Sequence, residues 1–189
     1  AAANTLRGGL GNDTLVGGAG NDLLDDSSST GADSLRGGDG NDTLHAYGND
    51  TLDGEAGDDR LVVWNDQAYV LRGGAGYDTV WVASSAWYTG SFSLAANGIE
   101  EIYGNAQEVI GTAGNDTIDF TGVTLNAVAF VDGADGNDSL TGNAAANTLR
   151  GSYGNDTLVG GAGNDRLDDA SSSGADSLLG GDGNDTLYA

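Results

Sequence analysis

Single large apolar residues recur along the chain at intervals of about nine residues, each beside Thr, Ser, Val, Asp or Arg. Examples are Leu15, Leu24, Leu35 and Leu44. One inward side chain between two outward ones is typical of a three-residue β-strand, because side chains alternate between its faces. Nine residues make two and a half helical turns, so in a helix successive leucines would face opposite sides. The pattern therefore predicts an all-β fold.

Two such strands with their turns would form one coil of about 18 residues. Coils stacked on one another would pair their strands in parallel and align their leucines in an internal ladder. Because every second repeat then lies on the same side, the turns would form two columns along the edges of a flattened tube. The sequence thus predicts a β-solenoid.

The turns between these strands are rich in glycine and end in aspartate, as in Gly8 to Asp13 and Gly17 to Asp22. Glycine accepts positive φ and leaves backbone carbonyls unscreened. Carbonyl and carboxylate oxygens are hard donors that suit Ca²⁺, which takes six or more at about 2.3–2.6 Å, better than Mg²⁺. One histidine and no cysteine argue against zinc. We therefore expect calcium between stacked turns.

The charge balance agrees with a cationic ligand. The chain has 6 basic and 29 acidic residues, a net charge of -23, which argues against nucleic acid and anionic membranes as partners. No apolar run of about 18 residues is present, so we expect no membrane insertion. One histidine and the absence of HExxH and GxSxG motifs predict that this segment is not an enzyme.

In addition to the nine-residue repeat, the sequence contains a much longer repeat. Residues 1–46 match residues 144–189 nearly position for position, and "DDSSSTGADSL" in the first block returns as "DDASSSGADSL" in the second. Such similarity indicates tandem duplication and predicts that the chain continues in a longer array or associates end to end.

Three sections follow from the repeats. Residues 1–81 and 111–189 are predicted calcium-binding coils. Residues 82–110 lack the glycine pattern and include Trp87 and Tyr88, so we expect strand-rich coils held by aromatic packing.

The nonapeptides "GGAGNDLLD", "GGDGNDTLH", "GGAGYDTVW" and "GGAGNDRLD" resemble those of RTX (repeats in toxin) proteins. The resemblance implies a right-handed parallel β-roll that binds calcium between adjacent coils, here roughly eight ions. Sixth-position carboxylates would be the side-chain ligands. They are Asp13, Asp22, Asp33, Asp42, Asp50, Asp59, Asp78, Asp116, Asp138, Asp156, Asp165, Asp176 and Asp185.

The resemblance also implies backbone carbonyl ligands at glycines of the turns. They are Gly18, Gly20, Gly38, Gly40, Gly57, Gly74, Gly76, Gly114, Gly136, Gly154, Gly161, Gly163, Gly181 and Gly183. Carboxylates one coil apart would share an ion. The expected pairs are Asp22 with Asp42, Asp42 with Asp59, Asp59 with Asp78, Asp116 with Asp138, Asp138 with Asp156, and Asp165 with Asp185.

Some turns depart from the family pattern. The pairs Asp13 with Asp33 and Asp156 with Asp176 have weaker support, because "STGAD" and "SSGAD" lack the leading glycine pair. Asn147 replaces the aspartate in its turn, which argues against a full site there.

Two functions are consistent with these features. The first is a structural module of a secreted bacterial RTX protein that folds on extracellular Ca²⁺ and forms a rod, surface layer or filament. The alternative is the calcium-dependent folding and type I secretion domain of an RTX exoenzyme, toxin or adhesin. The long-period duplication favours the first, because copying a block lengthens a fibre.

Overall fold

A computed structural model describes residues 1–27, 31–64, 69–83, 86–88, 92–169 and 174–189, with backbone alone at 86–88 and 105–107. The described chain consists of short strands and a 3₁₀ turn at Ala95–Asn97. None of its helical structure is long and apolar enough to cross a membrane. The strands are β1 (Thr5–Arg7), β2 (Thr14–Ala19), β3 (Leu23–Asp26), β4 (Ser34–Asp39), β5 (Thr43–Ala46), β6 (Thr51–Ala56), β7 (Arg60–Val63), β8 (Val70–Ala75), β9 (Thr79–Val82), β10 (Ala86–Tyr88), β11 (Phe92–Ser93), β12 (Glu101–Ile110), β13 (Thr117–Asp119), β14 (Thr124–Asp132), β15 (Ser139–Thr141), β16 (Thr148–Arg150), β17 (Thr157–Ala162), β18 (Arg166–Asp168), β19 (Ser177–Asp182) and β20 (Thr186–Tyr188).

The strands pair in parallel throughout the described chain, which confirms the predicted all-β solenoid. One wall is a long sheet in the order β1-β3-β5-β7-β9-β12-β14-β16-β18-β20, with β10 also paired to β12. The other wall consists of the sheets β2-β4-β6-β8 and β11-β13-β15-β17-β19. Strands thus alternate between the walls, and most coils contribute one strand to each.

The predicted leucine ladder fills the space between the walls. Leu24, Leu44 and Leu61 are register neighbours in the long sheet, and each is 0% exposed. Leu35 and Leu52 are equally buried in the facing sheet. The ladder continues through the second half of the chain at Ile118, Leu140, Leu149, Leu158 and Leu167. One inward residue per strand is therefore enough to build a continuous core.

The coils vary in length and average about 20 residues, slightly more than the predicted 18. Leu24 pairs with Leu44, and Leu44 pairs with Leu61, so these two coils advance the chain by 20 and 17 residues. Val80 pairs with Ile102, an advance of 22 residues. The register between the ladder residues is kept across these different lengths.

The central section continues the long sheet, since β12 pairs with β9 on one side and β14 on the other. Phe92 packs against Phe120 with ring centroids 5.6 Å apart in an edge-to-face arrangement. The side chains of Trp87 and Tyr88, part of the predicted aromatic packing, lie outside the described residues.

Candidate metal centre

Glycine is required in these turns for two different reasons, backbone conformation at some positions and space at others. In the turn from Gly17 to Asp22, Gly18 and Gly20 have φ of 98° and 128°, a region that side chains with a Cβ rarely occupy. Gly17 has no positive φ, so backbone conformation does not explain why glycine stands there.

A Cβ on Gly17 would fill a cradle between two coils. It would lie 2.5 Å from Asp22 Oδ2 and 2.6 Å from the carbonyl oxygen of Gly37, the first glycine of the next coil. Gly37 and Gly54 repeat this geometry, each with the aspartate Oδ2 of its own turn and the carbonyl oxygen of the first glycine in the next coil. The same relation to a carboxylate and a carbonyl oxygen recurs at Gly73, Gly111, Gly133 and Gly160. First glycines therefore keep open a small space lined by oxygen.

The turn aspartates are joined from coil to coil by hydrogen bonds. The backbone N–H of Asp22 donates to Asp42 Oδ1 at 2.7 Å, and that of Asp42 donates to Asp59 Oδ1 at 2.7 Å. Asp59 donates in the same way to Asp78 Oδ1 at 2.8 Å. The same bond joins Asp13 to Asp33, Asp33 to Asp50, Asp116 to Asp138, Asp138 to Asp156, Asp156 to Asp176, and Asp165 to Asp185. The structure thus brings together all the predicted pairs, including the two with weaker support from the sequence.

The second carboxylate oxygen of most of these residues is buried without a hydrogen-bond partner. This holds for Oδ2 of Asp13, Asp22, Asp42, Asp50, Asp59, Asp78, Asp138, Asp156 and Asp165. A buried carboxylate oxygen without a partner is destabilising unless a positive charge or a proton compensates it. These oxygens and the facing carbonyls form the hard donor set that Ca²⁺ prefers, so the residues present fit a calcium ion.

The arginines do not supply this compensation. The ion pairs among the described residues join Arg7 to Asp25, Arg72 to Asp53, and Arg166 to Asp168. The three acidic partners lie on strands and not in the sixth position of a turn. A bound cation is therefore the remaining source of positive charge for the turns.

Burial changes the acidity of the turn carboxylates. Removal from water, opposed in part by an N–H donor from the preceding coil, raises the pKa of Asp59 to about 6. Burial likewise raises the pKa of Asp50, Asp78 and Asp138 to about 6. It also raises the pKa of Asp42, Asp156 and Asp165. Protons and cations therefore compete for the same oxygens.

Two positions differ from this arrangement. Asn147 Oδ1 accepts the N–H of Asn143 at 2.8 Å, so the amide is satisfied within its own turn. Asp116 Oδ2 accepts from the N–H and hydroxyl of Thr112 at 2.6 and 2.9 Å. Both oxygens thus have protein donors that the other sites lack.

Sequence reasoning missed several residues of the site. It named carbonyls of the later glycines in each turn and overlooked the first-glycine carbonyls that face the orphaned oxygens. It also missed Glu100, whose Oε2 accepts the N–H of Asp78 at 2.7 Å in place of an aspartate. The first glycines could have been identified from the sequence, because each lies two residues after a core residue of the ladder. Gly17, for example, follows Leu15 by two positions.

The asparagine that precedes many of the turn aspartates has a separate role. Asn41 N–H donates to Asn21 Oδ1 at 3.1 Å, and Asp58 N–H donates to Asn41 Oδ1 at 3.1 Å. The second column has the same ladder, in which Asn155 N–H donates to Asn137 Oδ1 at 2.8 Å. These exposed amides satisfy turn backbone groups and lie outside the carboxylate column.

Replacing Gly17 by alanine is expected to remove one calcium ion, because its Cβ would fill the cradle beside Asp22. Gly18→Ala is the matched control: its Cβ meets nothing within 4 Å, but its φ of 98° makes alanine strained. The control should keep the wild-type calcium number and lose about 1–3 kcal/mol of stability. Native mass spectrometry counts the ions, and a full complement in Gly17→Ala would contradict the assignment.

Acid is expected to stabilise the calcium-free fold. The folded pKa of Asp50, Asp59, Asp78 and Asp138 is about 6, above the ordinary 3.8. Their destabilising effect is complete above that pH and is relieved as pH falls toward 3.8, because the folded state binds the protons first. Circular dichroism without calcium should show more β structure at about pH 5 than at about pH 7. Because bound protons stabilise the fold by themselves, the calcium concentration needed for folding should fall over the same interval, and less β structure in calcium-free acid would refute the expectation.

The repeats themselves match a known family. A family model for the RTX calcium-binding nonapeptide repeat (4 copies) matches residues 1–25, 27–61, 103–119, 132–167 and 171–189, more than half of the chain. No curated protein matches it. The matched ranges contain most of the stacked turns in which a buried aspartate Oδ2 without a hydrogen-bond partner faces a glycine carbonyl. The chain therefore belongs to the RTX family of calcium-binding repeat proteins.

Proposed function

We propose that this chain is a structural module of a secreted RTX protein that folds when it binds extracellular calcium and then forms part of a rod, surface layer or filament. The observation that carries the proposal is the column of buried carboxylate oxygens that face glycine carbonyls between successive coils. The site residues are the turn aspartates named above, and the number of ions is roughly eight. The role is mechanical, with no catalytic step.

Calcium would act here as a folding ligand. Eight divalent ions would offset about 16 of the 23 excess negative charges. With a Kd of about 0.1 mM and about 2 mM free Ca²⁺, each site contributes about 1.8 kcal/mol. The sum of about 14 kcal/mol is comparable with the stability of a whole domain. At cytosolic calcium concentrations the sites would be nearly empty, so folding would be confined to the outside of the cell.

The duplicated block supports a rod. The three residues of β1 (Thr5–Arg7) have the same sequence as β16 (Thr148–Arg150). Among the described strands, β16 pairs with β14 on one side and β18 on the other, and β1 pairs with β3. A coil like that of β14 could therefore stack on β1, within a longer chain or from a second copy.

The isolated chain is expected to be disordered in chelator and to gain β structure cooperatively as Ca²⁺ reaches the high-micromolar to millimolar range. The physical reason is the repulsion between the turn carboxylates. A circular dichroism titration measures the transition, with Mg²⁺ at the same concentrations as the control, because Mg²⁺ resists the loss of its water ligands. A β spectrum that chelator leaves unchanged would rule out calcium-driven folding.

End-to-end continuation has its own test. Electron microscopy of the chain with calcium should show rods longer than one module, and chelator should disperse them. Particles that stay short and single in calcium, in a sample that circular dichroism shows to be folded, would reject the filament and favour the folding and secretion domain of an exoenzyme, toxin or adhesin.

A further inference from the structure

One coil in each copy of the duplicated block has an aspartate in place of the first glycine. Gly17 follows the ladder residue Leu15 by two positions, whereas Asp26 follows Leu24 by two. Asp169 has the same relation to Leu167 in the second copy of the block. The position that keeps the cradle open in turns such as that of Gly17 therefore holds a carboxylate in two equivalent places.

Asp26 and Asp169 each complete a group of three carboxylates. Oxygens of Asp13, Asp26 and Asp33 lie within 4.8 Å of one another. The second group repeats the arrangement with Asp156, Asp169 and Asp176. The outer two members of each group are turn aspartates one coil apart, so the third carboxylate enters from the strand end between them.

The geometry of the neighbouring glycine indicates a ligand in the second group. Asp156 is 1% exposed, and its Oδ2 is buried with no hydrogen-bond partner. A Cβ on Gly151 would lie 2.6 Å from Asp156 Oδ2 and 2.6 Å from Asp169 Oδ2, so both oxygens point into the same space.

The first group has the same arrangement. Asp13 Oδ2 is also buried without a hydrogen-bond partner. A Cβ on Gly8 would lie 2.9 Å from that oxygen and 2.8 Å from Asp26 Oδ1. The convergence of oxygens on a space kept open by glycine is therefore found twice.

The charge of these groups is higher than at the ordinary sites. Three carboxylates converge where other coils bring two, and Asp26 and Asp169 are 0% and 2% exposed. The ion pairs of Arg7, Arg72 and Arg166 are formed with the strand residues Asp25, Asp53 and Asp168. Gly9 N–H donates to Asp26 Oδ1 at 3.2 Å, which stabilises this carboxylate only in part.

We propose that each group is a three-carboxylate cation site, in which Asp26 or Asp169 is a direct ligand that replaces a glycine carbonyl. Three negative ligands in place of two make these sites stronger for Ca²⁺ and favour trivalent lanthanide ions over the ordinary sites. The proposal rests on calcium-driven folding of the chain and adds two ligands and a second class of site to it.

The test is the paired substitution D26N/D169N, which keeps side-chain size and removes one charge from each group. If a cation binds there, loss of a charged ligand should raise the midpoint of the calcium titration at least threefold. If none binds, removal of one of three buried like charges relieves repulsion and should lower the midpoint. The direction of the shift therefore decides between the two cases, and a lowered or unchanged midpoint overturns the proposal.

D25N/D168N is the matched control, because it removes the same net charge one residue earlier from side chains paired with Arg7 and Arg166. Its midpoint should stay within about 1.5-fold of wild type, since exposed ion pairs contribute little. A rise equal to that of D26N/D169N would assign the effect to overall charge and overturn the proposal. Failure of wild type itself to fold with calcium would instead refute the proposed function.

A measurement on the unmodified chain covers the case in which D26N/D169N does not fold. Crystals grown with calcium and soaked in a low concentration of terbium should show anomalous density among the three carboxylates of each group before it appears at the two-carboxylate sites. Density confined to the two-carboxylate sites would overturn the assignment of Asp26 and Asp169 as ligands.

Discussion

The structure depends on the contacts that the turn aspartates make between successive coils. In each column, one oxygen of a turn aspartate fixes the backbone of the preceding coil, and the other is buried beside a glycine carbonyl. Asp42, for example, accepts the N–H of Asp22 through Oδ1, while its Oδ2 has no hydrogen-bond partner. The same side chain thus provides both the connection between coils and the charge that opposes their stacking. Stability therefore requires a positive partner that the arginines on the strands do not provide.

The nine-residue repeat combines several separate requirements. The first glycine provides space beside the carboxylate, and the later glycines provide positive φ. Asparagine bonds the exposed backbone, aspartate bonds the next coil, and leucine fills the core. Second-glycine positions vary most: Glu55, Ala134 and Ser152 stand there with φ of 74°, 74° and 76°. Strain of about 1–3 kcal/mol is tolerated at these places, whereas a Cβ at the first position would fill the cradle.

Features that depend on spacing along the chain could be predicted from the sequence. The ladder leucines and the pairs of turn aspartates follow from the repeat, because the residue that repeats also stacks. Features that depend on which coils stack against each other could not be predicted in this way. Glu100 breaks the motif and is placed beside Asp78 by a coil of 22 residues. Asp26 lies in a segment without the glycine pattern, and only the stacking of coils brings it beside Asp13 and Asp33.

The hydrogen bonds between aspartates all run in one direction, from the backbone of one coil to the side chain of the next. The two faces of a coil are therefore chemically different: one presents carboxylate acceptors and the other presents amide donors. Two stacks can join only head to tail, because like faces would oppose acceptor to acceptor or donor to donor. Such contacts are heterologous and do not close on themselves. An assembly built from this coil would be polar, with ends that could grow at different rates.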